Sequence, residues 1–241
     1  MPDRHFPFRN RLLNKLSSSD LALLGPLERV ELPLRQTLEP ADAPVEFVYF
    51  IEEGVASVVA QASGQREIEV GLIGPEGMTG LALLTGDDQS PFETFIQVQG
   101  SAYRLAADRL VRATANSEAL RLMLTRYARA FHLQVAATSV ANGNSKLEER
   151  LARWLLMVAD RAGNSFHITH AFLATMLAVR RSGVTLSLQV LEGRGLIRSG
   201  RGLVTILDRA GLIAASNGAY GLAEREEARL FPEPEKGTAT S

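Results

Sequence analysis

The run from Ser117 to Asn142 holds 26 residues without a proline or a glycine. Leu120, Leu124, Tyr127 and Phe131 recur along it at spacings of three and four, so they share one helix face. A helix of that length spans about 40 Å, more than the width of a small domain. It must therefore act as a rod between two units, and 241 residues suffice for two domains. A rod placed between domains is well placed to meet a second copy. Leu120, Leu124, Tyr127 and Phe131 are accordingly expected to form a dimer seam.

The texture on either side of the rod differs. Asn10 to Gly25 carries a Ser/Asp cap signal between two short apolar helical runs. From Arg29 to Leu105 short strands are punctuated by Gly and Pro. Val30 to Leu34 alternates. Glu46 to Ile51 is nearly all apolar and meets a turn signal at Glu52-Glu53-Gly54. Val55 to Ala62 resumes, Gly64-Gln65 offers a hairpin turn, and Phe92 to Leu105 reads as two strands broken at Gly100. Such spacing predicts an antiparallel, jelly-roll-like β-roll.

Beyond the rod, Asn142-Gly143-Asn144-Ser145 reads as a hinge, and Ser145-x-x-Glu148 has the spacing of a capping box. Leu147 to Ala162 is amphipathic. Thr169 then caps a short helix, Ala171 to Leu177, and Ala178 is the small residue at a tight turn. A second helix, Arg180 to Glu192, turns Val184, Leu188 and Leu191 inward. That leaves Arg180, Arg181, Ser182, Thr185 and Gln189 on its other faces. Leu196 to Ile206 is a hairpin with Arg198 and Arg201 around two glycines. The pattern is a winged helix-turn-helix, and the class is α+β: roll, long dimerisation helix, winged helix-turn-helix. The boundaries read 1–116, 117–142 and 145–223, followed by a charged tail, 224–241, with a brief helix at most and then disorder.

Charge singles out the third unit. From Lys146 to Arg209 there are 10 Lys and Arg against 5 Asp and Glu, whereas residues 1–144 hold 13 against 17. Two cations in the first turn of a helix oppose its macrodipole, a placement that an anionic partner would compensate. Arg181 can donate two hydrogen bonds to a guanine edge; Ser182 and Thr185 can meet bases; Arg180, Thr169, Arg198 and Arg201 suit phosphates. These features point to double-stranded DNA as the partner.

Other chemistry lacks its parts. With no cysteine, disulfides, thiolate clusters and cysteine nucleophiles are excluded. His167-x-x-His170 has a chelating spacing but no third ligand beside it, His132 stands alone on the rod, and Val30 to Leu105 contains no histidine for a cupin-like metal centre. No catalytic triad or phosphate loop stands out, so neither an enzyme nor a resident cofactor or metal is expected. No apolar run reaches 18 residues and the first residues carry no apolar signal core, which suggests a cytoplasmic protein.

The order of these segments, and the run Leu173-Ala174-Thr175-Met176-Leu177-Ala178-Val179-Arg180-Arg181-Ser182-Gly183-Val184-Thr185 with Leu191-Glu192 and Gly195-Leu196-Ile197, resembles the Crp/Fnr superfamily of bacterial transcription regulators. The likeness spans about Leu32 to Leu207. It implies a homodimer on two-fold-related DNA sites, a base-reading role for Arg181, phosphates near Thr169 and His170, an effector in the roll, and RNA polymerase as a further partner. Cyclic-nucleotide binders of that family carry a Glu and, some ten residues on, an Arg before Ser or Thr; here Leu81 stands in place of the Glu, and no Arg lies near Ser90. The resemblance therefore implies a roll that is structural or senses an effector other than a cyclic nucleotide, and the missing cysteines exclude an iron–sulfur sensor. The alternative is a ligand-binding or protein-interaction module that has lost DNA binding.

Overall fold

The computed structural model describes residues 8–62 and 66–232. Two short helices, α1 (Arg11–Lys15) and α2 (Ser18–Leu24), precede the roll strands β1 (Glu28–Leu32), β2 (Thr37–Glu39), β3 (Phe47–Ala62), β4 (Arg66–Ile73) and β5 (Glu93–Ala106). A 3-10 turn, Leu81–Thr85, lies between β4 and β5. Then come α3 (Ala107–Asn116), the rod α4 (Glu118–Asn144) and α5 (Leu147–Ala162). The C-terminal unit follows as β6 (Ser165–His167), α6 (His170–Met176), α7 (Arg181–Gly193), β7 (Ile197–Gly200), β8 (Leu203–Ile206), α8 (Arg209–Ala215) and α9 (Leu222–Leu230). No helix among the described residues is long and apolar enough to cross a membrane.

The roll is one antiparallel sheet in the order β1-β5-β3-β4, with β2 also paired to β5. The two expected interruptions are bends rather than turns. β3 runs through Glu52-Glu53-Gly54 and β5 through Gly100, with register shifts between Ile51 and Ala56. The bends meet: a Cβ on Gly100 would lie 1.9 Å from the Glu53 carbonyl oxygen, and Gly54 holds a left-handed φ of 90°. Glycine is required there because two backbones cross, so the sheet folds over itself without ending either strand. Glu52 is buried beneath the start of α1, where its carboxylate accepts the Arg9 and Asn10 amides at 3.0 and 2.9 Å. The expected hairpin turn at Gly64-Gln65 lies outside the described residues.

The rod departs from expectation in two ways. It continues through Asn142-Gly143-Asn144 as helix and ends at Ser145. The next helix is capped one residue later than the expected box: Glu149, not Glu148, accepts the Lys146 amide at 2.8 Å. More consequentially, the stripe assigned to a partner is used within the chain. Leu120, Leu124 and Tyr127 are buried in one core with Val48, Phe50 and Leu110 of the roll and α3. Phe131 packs on a second roll cluster and lies over Gly71, where a Cβ would stand 2.7 Å from its ring. A long apolar stripe buries itself against the nearest apolar surface, and here that surface is the roll.

The C-terminal unit is seated on the roll too. Its core joins Leu151, Leu155, Leu173, Val184, Leu188, Leu191 and Ile206 to Val55, Val59, Leu72 and Phe95 of the roll. Gln134 of α4 pairs with β4 as a strand would, accepting the Leu72 amide at 2.6 Å and donating to the Leu72 carbonyl at 3.1 Å. Residues 224–230, expected in a tail, form most of α9, which packs along α4 with Ala223 buried. Arg11 reaches Glu227 there at 3.3 Å. The rest of the expected tail, 233–241, lies outside the described residues.

Candidate nucleic-acid interface

Local chemistry sets the two helices of the motif. Thr169 Oγ1 accepts the Phe172 amide at 3.2 Å, so the expected cap starts α6 at His170. Leu173, Met176 and Leu177 are buried. The Arg150 guanidinium of α5 donates to the Leu177 carbonyl at 2.5 Å and closes the C-terminal end of α6. Ala178 turns the chain with a left-handed φ of 52°, which only a small side chain tolerates at low cost so close to two helices. Arg180 is the N-cap of α7, and Val184, Leu188 and Leu191 fill the core as their spacing predicts.

The wing is a three-stranded sheet in the order β6-β8-β7. Gly200 pairs with Leu203, so the tip is the two-residue loop Arg201-Gly202. Both residues hold left-handed φ, 52° and 75°. A loop of that kind favours Asn-Gly; arginine in the first position accepts strain. The Ile168 amide donates to the Gly202 carbonyl at 2.7 Å and ties the wing tip to the residue before Thr169. His170 Nδ1 meets Thr185 Oγ1 at 3.0 Å and ties the start of α6 to α7. The wing tip, the start of α6 and the first turns of α7 are thereby neighbours.

Arg180, Arg181, Ser182, Gln189, Arg198, Arg201 and Thr169 are all exposed. Among the described residues none of these arginines has an acidic partner. The structure exposes seven of the nine expected residues. Thr185 is one exception, being half-buried and bonded both to His170 and, at 3.1 Å, to the Arg181 carbonyl. His170 is half-buried and holds Thr185. Among the described residues no group of three or more metal-ligating side chains occurs, so His167 and His170 gain no third ligand.

Residues 149–215 match the model of the Crp-like helix-turn-helix domain. The whole architecture also has solved counterparts. A transcriptional regulator of the crp/fnr family from Eubacterium rectale superposes with a TM-score of 0.69 at 18% identity, covering 87% of this chain and 99% of that one. A CRP-family regulator from Thermus thermophilus gives 0.66 at 21% identity, covering 81% and 99%. The c-di-GMP-responsive global regulator CLP of Xanthomonas campestris gives 0.61 at 17% identity, covering 79% and 99%. No curated protein matches by sequence. The chain carries the Crp/Fnr fold, with a Crp-like helix-turn-helix domain.

Within that Crp-like domain, sequence reasoning passed over two residues. Leu186 is 60% exposed on α7 and Arg194 is exposed at its C-terminal end. Spacing against Val184, Leu188 and Leu191 carried the signal for Leu186: it is the one leucine of α7 off the inward stripe. In the roll, the turn after Gly80 is filled rather than hollow. Leu81, Leu83 and Leu84 pack on the core of Phe50, Leu120 and Leu124. The buried Glu39 carboxylate accepts the Gly80 amide at 2.5 Å and the Thr94 hydroxyl at 2.8 Å. Burial pushes Glu39 up from the usual carboxylate range, against the pull of those two donors.

Proposed function

We propose that the chain is a sequence-specific DNA-binding transcription regulator that acts as a homodimer on two-fold-related half-sites. The observation that carries this is the set of exposed arginines on α7 and the wing without acidic partners among the described residues, tied together through Gly202–Ile168 and His170–Thr185. Four cations held at one surface form the electrostatic footprint of a polyanion site. The first turn of α7 enters the major groove; Arg181 and Ser182 read base edges; Thr169, Arg180, Arg198 and Arg201 hold phosphates. Thr185 positions rather than reads, since its hydroxyl is engaged. Such a protein works in the cytoplasm beside RNA polymerase.

The dimer seam in this reading moves to the outer face of α4. Leu122, Arg126, Arg129, Leu133, Ala136 and Val140 alternate at spacings of four and three. Leu122 and Val140 are 49% and 65% exposed, whereas the inward stripe is consumed by the roll. Spacing of that kind is what two supercoiled helices need. Sedimentation is expected to find a dimer that Val140→Glu converts to a folded monomer.

The roll takes no cyclic nucleotide in this reading. An incoming phosphate would meet leucines and the Glu39 carboxylate where it needs a cation, at a cost that a buried charge cannot recover. The roll is structural or holds a ligand of another class. The deciding experiment is selection of binding sequences from random duplex DNA. Enrichment of a two-fold motif is expected; failure to enrich any would leave a protein-interaction module instead.

A further inference from the structure

We infer that Leu186 is a specificity residue that reads the C5-methyl group of thymine; this rests on the DNA reading above. At about 100° per residue, Val184, Ser187, Leu188 and Leu191 occupy one side of α7, and Ser182, Leu186 and Gln189 lie opposite, within about 60° of one another. The first four are buried and the last three exposed. Leu186 thus sits near the middle of the outward face, 60% exposed, with Val190 at 40% one turn further on. A merely solvated helix face gains nothing from leucine there, since Lys, Gln and Glu are about as good helix formers.

The surroundings decide what covers this apolar spot. Arg180, Arg181, Arg194, Arg198 and Arg201 are exposed on α7 and the wing, and the nearby Glu192 carboxylate accepts the Ser199 amide at 2.9 Å. A partner for this face must therefore be polyanionic yet present an apolar group at the end of a short polar path. The major groove meets both demands, and the thymine methyl is the apolar group on its base edges. Ser182 and Leu186 are four residues and about 40° apart, so a helix whose first turn enters the groove brings Leu186 to the same groove floor. With Ser182 in the groove, Leu186 reaches a thymine methyl one helical turn further along.

The test uses the full chain and a duplex obtained by selection from random DNA. Each thymine of the half-sites is replaced, one position at a time, by deoxyuridine, which removes only the methyl. Binding is then measured by fluorescence anisotropy at fixed salt. The wild type is expected to lose about three- to fivefold per methyl at one thymine position, and Leu186→Ala less than about twofold at the same position. Arg181→Ala should keep the methyl effect. Because Leu186 is exposed, Leu186→Ala and Leu186→Gln are expected to melt as the wild type does, which separates recognition from folding. A methyl effect of equal size in Leu186→Ala, or none at any thymine, overturns the inference and leaves the DNA reading intact. A wild type that selects no sequence removes both.

Discussion

The C-terminal half of the chain carries two sets of arginines that composition counts alike. Arg161 is buried on α5, its Nε 2.7 Å from Glu76 Oε1, with side chains only 7% and 10% exposed. Arg153 is 5% exposed. Arg180, Arg181, Arg198 and Arg201 stand in solvent. Arg161 holds the C-terminal unit on the roll with its charge answered by Glu76, while Arg153 reaches the Gln134 carbonyl of α4 at 3.5 Å. The second set has no described acidic partner and therefore carries the surplus positive charge outward. The difference teaches that a basic balance says little until each cation has been matched to a counterion.

The largest expected effect lies in the buried set. Arg161→Ala leaves the Glu76 carboxylate buried without its partner and should cost about 3–5 kcal/mol of unfolding free energy in denaturant titrations. An effect below about 1 kcal/mol would show that the seat is wet and the contrast overdrawn.

Next comes Glu69, also buried, which accepts Trp154 Nε1 at 2.7 Å and the Ser57 hydroxyl at 2.6 Å. Burial pushes its carboxyl up to about 7, against those two donors and the neighbouring Arg153 and Arg161 charges. Because the folded state holds this proton more tightly than the unfolded chain does, the group favours folding at low pH, and stability falls as pH rises from about 4.5 to about 7. Glu69→Gln should remove that slope. It should stabilise the protein above pH 7 by roughly 3 kcal/mol relative to its effect in acid, as read by thermal melts across pH.

The exposed set should behave oppositely, with melts unchanged within about 0.5 kcal/mol. Arg181→Ala is expected to relax discrimination at one base pair per half-site by about 1–3 kcal/mol, seen as a flattened position in the selected motif. The smallest and most uniform effect belongs to Arg201→Ala. It should weaken every sequence alike and reduce the salt slope of a dimer by about two, one per copy. A change in the motif itself would make Arg201 a base reader and blur the division.

Features set by neighbours in the chain are legible in the sequence. Thr169 caps the helix that its spacing implies, and Val184, Leu188 and Leu191 face inward. What escaped depends on distant partners. Gly54 and Gly100 read as breaks because the crossing that requires them joins strands far apart in sequence. The Leu120–Phe131 stripe is apolar whichever body it packs on, so periodicity located the face but not its partner. The sequence offers Thr185 to a base because its bond to His170 crosses between two helices. Leu186 is as hydrophobic as Leu188, and only the burial of the whole motif separates a residue that fills the core from one that looks out.

Gln134 of the rod sits at a sheet edge. β4 ends the roll sheet, and an uncovered terminal strand offers unpaired amides and carbonyls to any passing chain. The Gln134 side chain answers Leu72 on that border. The rod therefore also caps that edge at Leu72. Gln134→Leu should leave monodisperse protein at first and precipitate on storage, with fibre-like material appearing sooner than the loss of one amide's stability would account for.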